Sequence, residues 1–243
     1  MVDRRRNTET DLPVAFAAAR PQLRRGWTGR RAVVRRYADL AGVAAVAPGR
    51  SWRRAQYWSF VDVAREEDRD LLDALSIGYD VTIVAPRPMG WERPKTRGHI
   101  HIRPGEPGAG FAEVYQVLEG QAGFLFQDLG PGPSSHEAVL VEAATGDSVL
   151  IPPQRYHVTI NLGSTALVVA DAVCRASEDD YSALRAAHGM AFLFAENGDV
   201  VPNPSYRNVP ELRRIEAREW SAGPRDLYGS LARERDSLTW LCG

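Results

Sequence analysis

T-R-G-H-I-H (Thr96–His101), A-E-V-Y-Q-V-L-E-G (Ala112–Gly120) and I-P-P-Q-R-Y-H-V-T-I-N-L-G (Ile151–Gly163) carry four side chains able to ligate a metal: His99, His101, Glu113 and His157. The two histidines of the first phrase are spaced i, i+2. On a strand that spacing puts both imidazoles on one face, because successive side chains alternate sides. On a helix they would point about 200° apart and could not easily share an ion. Glu113 opens a run in which Val114, Gln116 and Leu118 alternate with Tyr115, Val117 and Glu119, and Gly120 closes it as a turn. His157 follows Pro152-Pro153, a stiff pair that cannot continue a central strand. Val158, Ile160 and Leu162 then read as another strand.

An H-x-H pair alone is more often a surface or satisfied pair. Joined to the Glu113 and His157 phrases it predicts a site for one divalent transition metal. Imidazole suits iron, nickel, zinc and copper, and the carboxylate shifts the preference toward manganese and iron. The expectation is therefore Fe, Mn, Ni or Zn, with iron favoured.

These phrases resemble the two motifs of the cupin barrels. More narrowly, T-R-G-H-I-H with A-E-V-Y-Q-V-L-E-G-Q-A-G is similar to the cupin-type glucose-6-phosphate isomerases. The likeness runs outward from about Val34 to Pro204, through V-T-I-V-A-P (Val81–Pro86) and E-N-G-D-V-V-P-N-P (Glu196–Pro204). The resemblance implies a single barrel, the four metal ligands above, and a homodimer. It also implies substrate contacts at Thr82, Thr96, Gly98 and Tyr115, which would grip a phosphate, and at Tyr57. Two positions depart from the family pattern. Val173 and Asp179 stand where the related isomerases carry a tyrosine and a histidine, and that histidine helps open or shuttle protons on the sugar. The substrate expected is thus phosphorylated or otherwise anionic, and not the usual hexose. His136, in a polar hairpin loop, and His188, before Gly189 at a helix end, do not replace it.

Outside the motifs, Gln56–Val63, Ser76–Pro86, Gly123–Asp128, Glu137–Glu142, Ser148–Ile151 and Thr165–Cys174 read as short strands divided by Gly, Pro and Asn turns. That beat is the signature of an all-β barrel or sandwich. Asn197-Gly198 marks a further hairpin. The fold expected is all-β, one cupin (double-stranded β-helix) barrel over residues 51–205. An N-terminal arm with helical segments (1–50; helix over Leu12–Leu23 and residues 32–45) and a C-terminal helical extension (206–243) flank it. In the extension, Leu212, Ile215 and Trp220 sit at helical spacing after Pro210. Between His101 and Glu113, R-P-G-E-P-G-A-G-F predicts a loop over the barrel mouth.

At 243 residues and a formal net charge of -1, the chain can bury a sizeable core and has no global field for nucleic acid or anionic membranes. The arginine clusters Arg4-Arg5-Arg6, Arg24-Arg25 and Arg30-Arg31 are offset by Asp3, Glu9 and Asp11, so nucleic-acid binding is not expected. No run of 18 apolar residues marks a membrane span, and no apolar signal core opens the chain. Two cysteines, Cys174 and Cys242, are too few for a disulfide framework; they read as free thiols of a cytoplasmic protein.

Three function classes follow. The first is a metal-dependent aldose–ketose isomerase acting on a sugar phosphate through an enediol or a hydride shift, with Glu113 as the base. The second is a redirected cupin enzyme (oxygenase, lyase or epimerase) of specialised metabolism using the same three His and one Glu; the long mouth loop and the extension favour it. The third is a small-molecule binder with a structural metal, which the retained Glu113 disfavours, because closed structural sites more often use Cys or His.

Overall fold

A computed structural model describes residues 12–17, 20–220, 223–234 and 236–243; Arg4-Arg5-Arg6 lies outside them. Eleven strands build the framework: β1 (Arg31–Arg36), β2 (Ala55–Val61), β3 (Ile77–Val84), β4 (Ile100–Ile102), β5 (Glu113–Glu119), β6 (Gln121–Gln127), β7 (Ala138–Ala144), β8 (Ser148–Ile151), β9 (Tyr156–Asn161), β10 (Leu167–Cys174) and β11 (Leu212–Glu216). A six-stranded sheet runs β8-β5-β10-β3-β2-β1 and a four-stranded sheet runs β9-β6-β7-β11. The two curl face to face as a cupin barrel, as the strand pattern predicts.

Period-2 alternation sorts each strand between two environments. Tyr57, Val84, Tyr115, Val117, Phe124, Phe126 and Val169 point inward and form the barrel core. Val81, Ile83, Val114, Val168 and Ala170 point outward from the six-stranded sheet, yet they are buried too. The C-terminal segment covers them through Leu227, Leu231, Leu238 and Leu241, each at most 4 % exposed. Burying four leucines is worth roughly 6–12 kcal/mol before ordering entropy, on the scale of a whole domain's net stability. On the other side, Leu184, Met190, Phe192, Phe194 and Tyr206 cover Leu125, Leu140, Val158 and Ile160 of the four-stranded sheet.

The termini depart from the expected helices. Val14–Ala17 and Arg20–Leu23 pair as an antiparallel hairpin instead of a helix. Residues 31–36 form β1 on the open edge of β2, and only Tyr37–Leu40 coils, as one 3-10 turn. There β-branched Val33 and Val34 and an unpaired sheet edge outweigh alanine content. Leu212 and Ile215 are spaced for one face of a helix, but on β11 the odd spacing sends them to opposite faces. Leu212 joins the outer cluster and Ile215 the barrel core, while β11 pairs in parallel with β7. Among the described residues of the extension, helix is confined to Ala217–Trp220 and Leu227–Arg233, plus a 3-10 turn at Thr239–Cys242.

Two further expectations are corrected. The loop between β4 and β5 does not cover the mouth. Arg103 donates to the Cys242 carbonyl at 3.1 Å and stacks over Phe111, drawing the loop toward the C-terminus. The cysteines are not free thiols: Cys174, at the end of β10, is bonded to Cys242. Sequence distance hid this pairing, because 68 residues separate two sulfurs that the fold sets side by side.

Closing a loop of that length removes about 4 kcal/mol of unfolded-chain entropy. Cys242→Ser should therefore lower the midpoint of thermal unfolding by on the order of 10 °C. Reducing agent should shift wild type toward the same value and leave the variant unmoved.

Candidate metal centre

The four ligands predicted from sequence converge. Their ligating atoms all lie within 4.8 Å of one another. β4 supplies His101; His99 immediately precedes it; Glu113 opens β5; His157 sits on β9. Two backbone hydrogen bonds lock the histidine-bearing segments together: His157 N–H donates to the His99 carbonyl at 2.8 Å, and His99 N–H to the His157 carbonyl at 3.1 Å. Gly98 makes this approach possible. Its φ is +79°, and a Cβ there would meet the His157 carbonyl oxygen at 3.1 Å.

The donor set is suited to a cation. Glu113 Oε2 lies 3.0 Å from His101 Nε2 and 2.9 Å from His157 Nε2. His99 Nε2 faces His101 Nε2 at 3.2 Å. Glu113 Oε2 and His157 Nε2 are buried polar atoms that no well-aligned hydrogen bond satisfies, an expensive state that a bound ion would relieve. The second nitrogens are already committed. His157 Nδ1 donates to the Arg155 carbonyl at 3.1 Å, and His101 Nδ1 lies 2.9 Å from Ser177 Oγ and 3.2 Å from Asp179 Oδ1. Such partners orient imidazoles toward a metal. The His99 side chain is 17 % exposed against 3–5 % for the other three, so the cluster opens to solvent on its side.

Electrostatics follow from this burial. Burial and the neighbouring His157 and His101 charges push His99 down to about 3. Burial also opposes a charged His101, but Glu113 and Asp179 outweigh it and raise this imidazole to about 10. Burial disfavours an ionised Glu113, yet His101 and His157 hold its carboxyl well below the usual range.

Asp179 accepts from the Tyr181 hydroxyl at 2.8 Å and braces His101. Val173 is the β10 partner of Glu113. Both line a cavity of about 140 Å³ at the ligand cluster, together with Tyr57, Thr82, Thr96, Gly98 and Tyr115. All five substrate positions suggested by sequence thus face one space, which no residue between His101 and Glu113 lines. Ser59 Oγ joins Thr82 Oγ1 at 2.9 Å, and Thr96 Oγ1 accepts from Thr159 N–H at 3.0 Å.

Two carboxylates of this cavity escaped the sequence reading. Asp80 and Asp171 are directly paired across β3 and β10, and both line the cavity. The Asp62 N–H donates to Asp80 Oδ1 at 2.8 Å. Burial, with Asp62 and Glu113 nearby, pushes Asp80 up to about 7. Burial and the Glu113 charge raise Asp171 well above the usual carboxylate range. The available signal was a lone carboxylate inside each apolar run, G-Y-D-V-T-I-V and V-V-A-D-A-V, with Asp80 on the same strand face as Thr82.

His157→Ala should reduce bound divalent metal by at least tenfold at fixed total metal, read by elemental analysis after desalting; unchanged content would separate His157 from the ion. A raised carboxyl in the folded state means that stability falls as pH climbs from the unfolded value near 4. The loss ends at the folded value near 7 for Asp80. In chelator-treated protein, Asp80→Asn should therefore melt a few degrees above wild type at pH 8. That advantage should shrink toward zero by pH 4, and an advantage independent of pH would contradict the assignment.

The family model described as "Glucose-6-phosphate isomerase (GPI)" matches residues 34–211. The glucose-6-phosphate isomerase of Pyrococcus horikoshii is 26% identical over 189 residues, spanning 74% of this chain and 90% of the relative. That of Sinorhizobium medicae is 28% identical over 198 residues, spanning 77% and 87%. Among solved structures, a vicilin from Solanum melongena matches with a TM-score of 0.37 and 17% identity over 51% of this chain and 30% of that one. The matched segment contains all four ligands and every cavity residue named above, and the chain belongs to the glucose-6-phosphate isomerase family.

Proposed function

We propose that the protein is a metal-dependent aldose–ketose isomerase acting on a sugar phosphate. The observation that carries the reading is the four-ligand cluster opening onto a cavity walled by hydroxyls and carboxylates, in a chain of this family. The Pyrococcus and Sinorhizobium relatives are named for activity on glucose 6-phosphate; the substrate class comes to this chain from them.

His99, His101, Glu113 and His157 would hold a divalent ion, with iron or manganese matching three imidazoles and a carboxylate. Such an ion supplies Lewis-acid polarisation of a carbonyl and its neighbouring hydroxyl, which acidifies the intervening carbon-bound proton. Glu113, kept ionised by the imidazoles, accepts that proton from one carbon and returns it to the next, through an enediol. Tyr115 lines the cavity beside Glu113; burial and the Glu113 charge raise the Tyr115 hydroxyl well above its usual range and keep it protonated. Asp171 lines the same cavity, and its burial with the Glu113 charge beside it favours its protonated form. Thr82, Thr96, Gly98 and Tyr57 form the wall that grips the phosphate. Asp179 cannot shuttle protons on the sugar as a free histidine would, because it is committed to His101 and Tyr181. Ring opening therefore falls to the solvent or to the Asp80–Asp171 pair, and open-chain or furanose substrates are favoured over a pyranose. The mouth loop, once an argument for redirected chemistry, does not reach the cavity. Homodimer formation remains part of the proposal by family likeness.

Although Asp179 argues against the usual hexose as the preferred substrate, protein loaded with Fe(II) or Mn(II) should still convert fructose 6-phosphate to glucose 6-phosphate in a coupled assay, and His99→Ala should abolish it. No turnover with metal demonstrably bound would overturn the reading for this substrate; oxygen uptake would then redirect it to oxidative chemistry. Glu113→Gln should keep much of its metal while turnover drops by about 10²–10⁴. Unchanged turnover would remove Glu113 from the role of base.

A further inference from the structure

Arg35 and Arg97 line the metal cavity and also a second cavity of about 280 Å³ that adjoins it, where Arg185 joins them. Nothing in the isomerisation above uses these three guanidinium groups. None of them forms an ion pair with a carboxylate among the described residues. Asp39 is the one acidic side chain lining the second cavity, and its Oδ2 accepts from the Arg36 backbone N–H at 2.7 Å. Three cations against one committed carboxylate leave a local positive surplus in a chain whose formal net charge is -1.

The arginines are positioned by neutral groups. Arg97 lies over the Tyr181 ring, 4.4 Å from its centroid. Arg35 shares the wall of the metal cavity with Tyr57 and Arg97. The Arg185 stem rests on Gly42: a Cβ at Gly42 would stand 3.4 Å from Arg185 Cγ. Arg35 and Arg97 are half-buried. Holding like charges together without neutralising them is unfavourable unless an anion completes the set, and guanidinium forks match phosphate or carboxylate oxygens in paired hydrogen bonds.

We propose that Arg35, Arg97 and Arg185 form an anion subsite for a phosphate-type dianion, beside and distinct from the hydroxyl-lined wall of the metal cavity. It rests on the isomerase reading only in calling the neighbouring occupant a sugar phosphate. The dianion is either a second charged group of the substrate itself, as in a sugar bisphosphate, or a separate phosphate bound alongside.

The test is isothermal titration of the full-length, metal-loaded protein at low ionic strength, where exposed charges are least screened. The probes are fructose 6-phosphate, fructose 1,6-bisphosphate and inorganic phosphate, against wild type and Arg185→Gln. Arg185 is exposed, so its replacement leaves the core intact. If the substrate carries the second charge, wild type binds the bisphosphate at least tenfold more tightly than the monophosphate, and Arg185→Gln loses most of that preference. If the anion is separate, inorganic phosphate binds in the presence of saturating fructose 6-phosphate, and Arg185→Gln weakens it at least tenfold. Absence of both effects overturns the subsite. The readout needs no turnover, so an inactive but anion-binding protein would sink the isomerase reading alone.

Discussion

A carboxylate buried to 2 % exposure sets the terms for this molecule. Glu113 is removed from water among three imidazoles, and a buried charge survives only when it is paired and hydrogen-bonded. Its surroundings are arranged accordingly. His101 and His157 approach one of its oxygens, Tyr115 and Asp171 line the same cavity, and Asp179 and Ser177 hold the far side of His101. The unsatisfied atoms that remain, Glu113 Oε2 and His157 Nε2, are those that would face an ion. A bound cation would satisfy both atoms at once.

The barrel makes that arrangement rigid. Inward positions of the six-stranded sheet change character along the strands. Val117, Val169 and Val84 belong to an apolar plug, while Glu113, Asp171, Asp80 and Thr82 stand toward the cavity. Packing of the plug fixes the strands, and the strands fix the polar side chains within the reach of one another. Across the same sheet the polar chemistry grades from carboxylates on β5, β10 and β3, through hydroxyls on β3 and β2, to guanidinium groups on β1. A substrate with an oxygen-rich end and an anionic end matches that gradient. The disulfide from β10 to the C-terminus ties the outer layer to the strand that carries Asp171 and Val173.

Both outer faces of the barrel are covered by segments that sequence periodicity describes poorly. Leu212 and Ile215 illustrate why. A spacing of three suits one helix face, but it equally suits a strand packed on both sides, and only the availability of an unpaired neighbour at β7 decides. Residues 31–36 were open to the same ambiguity, settled by the edge of β2. Local propensity is a weak prior against a sheet edge that would otherwise stay unpaired.

The sequence by itself determined the barrel strands and the ligand set. Alternation is written residue by residue, and H-x-H with a later Glu and His names atoms whose chemistry is specific; His99, His101, Glu113 and His157 needed only a shared mouth. Family likeness marked Thr82, Thr96, Gly98, Tyr115 and Tyr57 as substrate contacts, and the fold brings all five to one cavity. Only the tertiary structure decided the rest. Asp80 and Asp171 lie 91 positions apart and become a pair through strand register alone. Cys174 and Cys242 find each other because the C-terminus folds back on β10. Arg35, Arg97 and Arg185 come from an edge strand, a loop and a helix, and their charges act together only once folded. Short-range pattern records which way a side chain points; which distant side chains share its space is set by closure of the chain on itself.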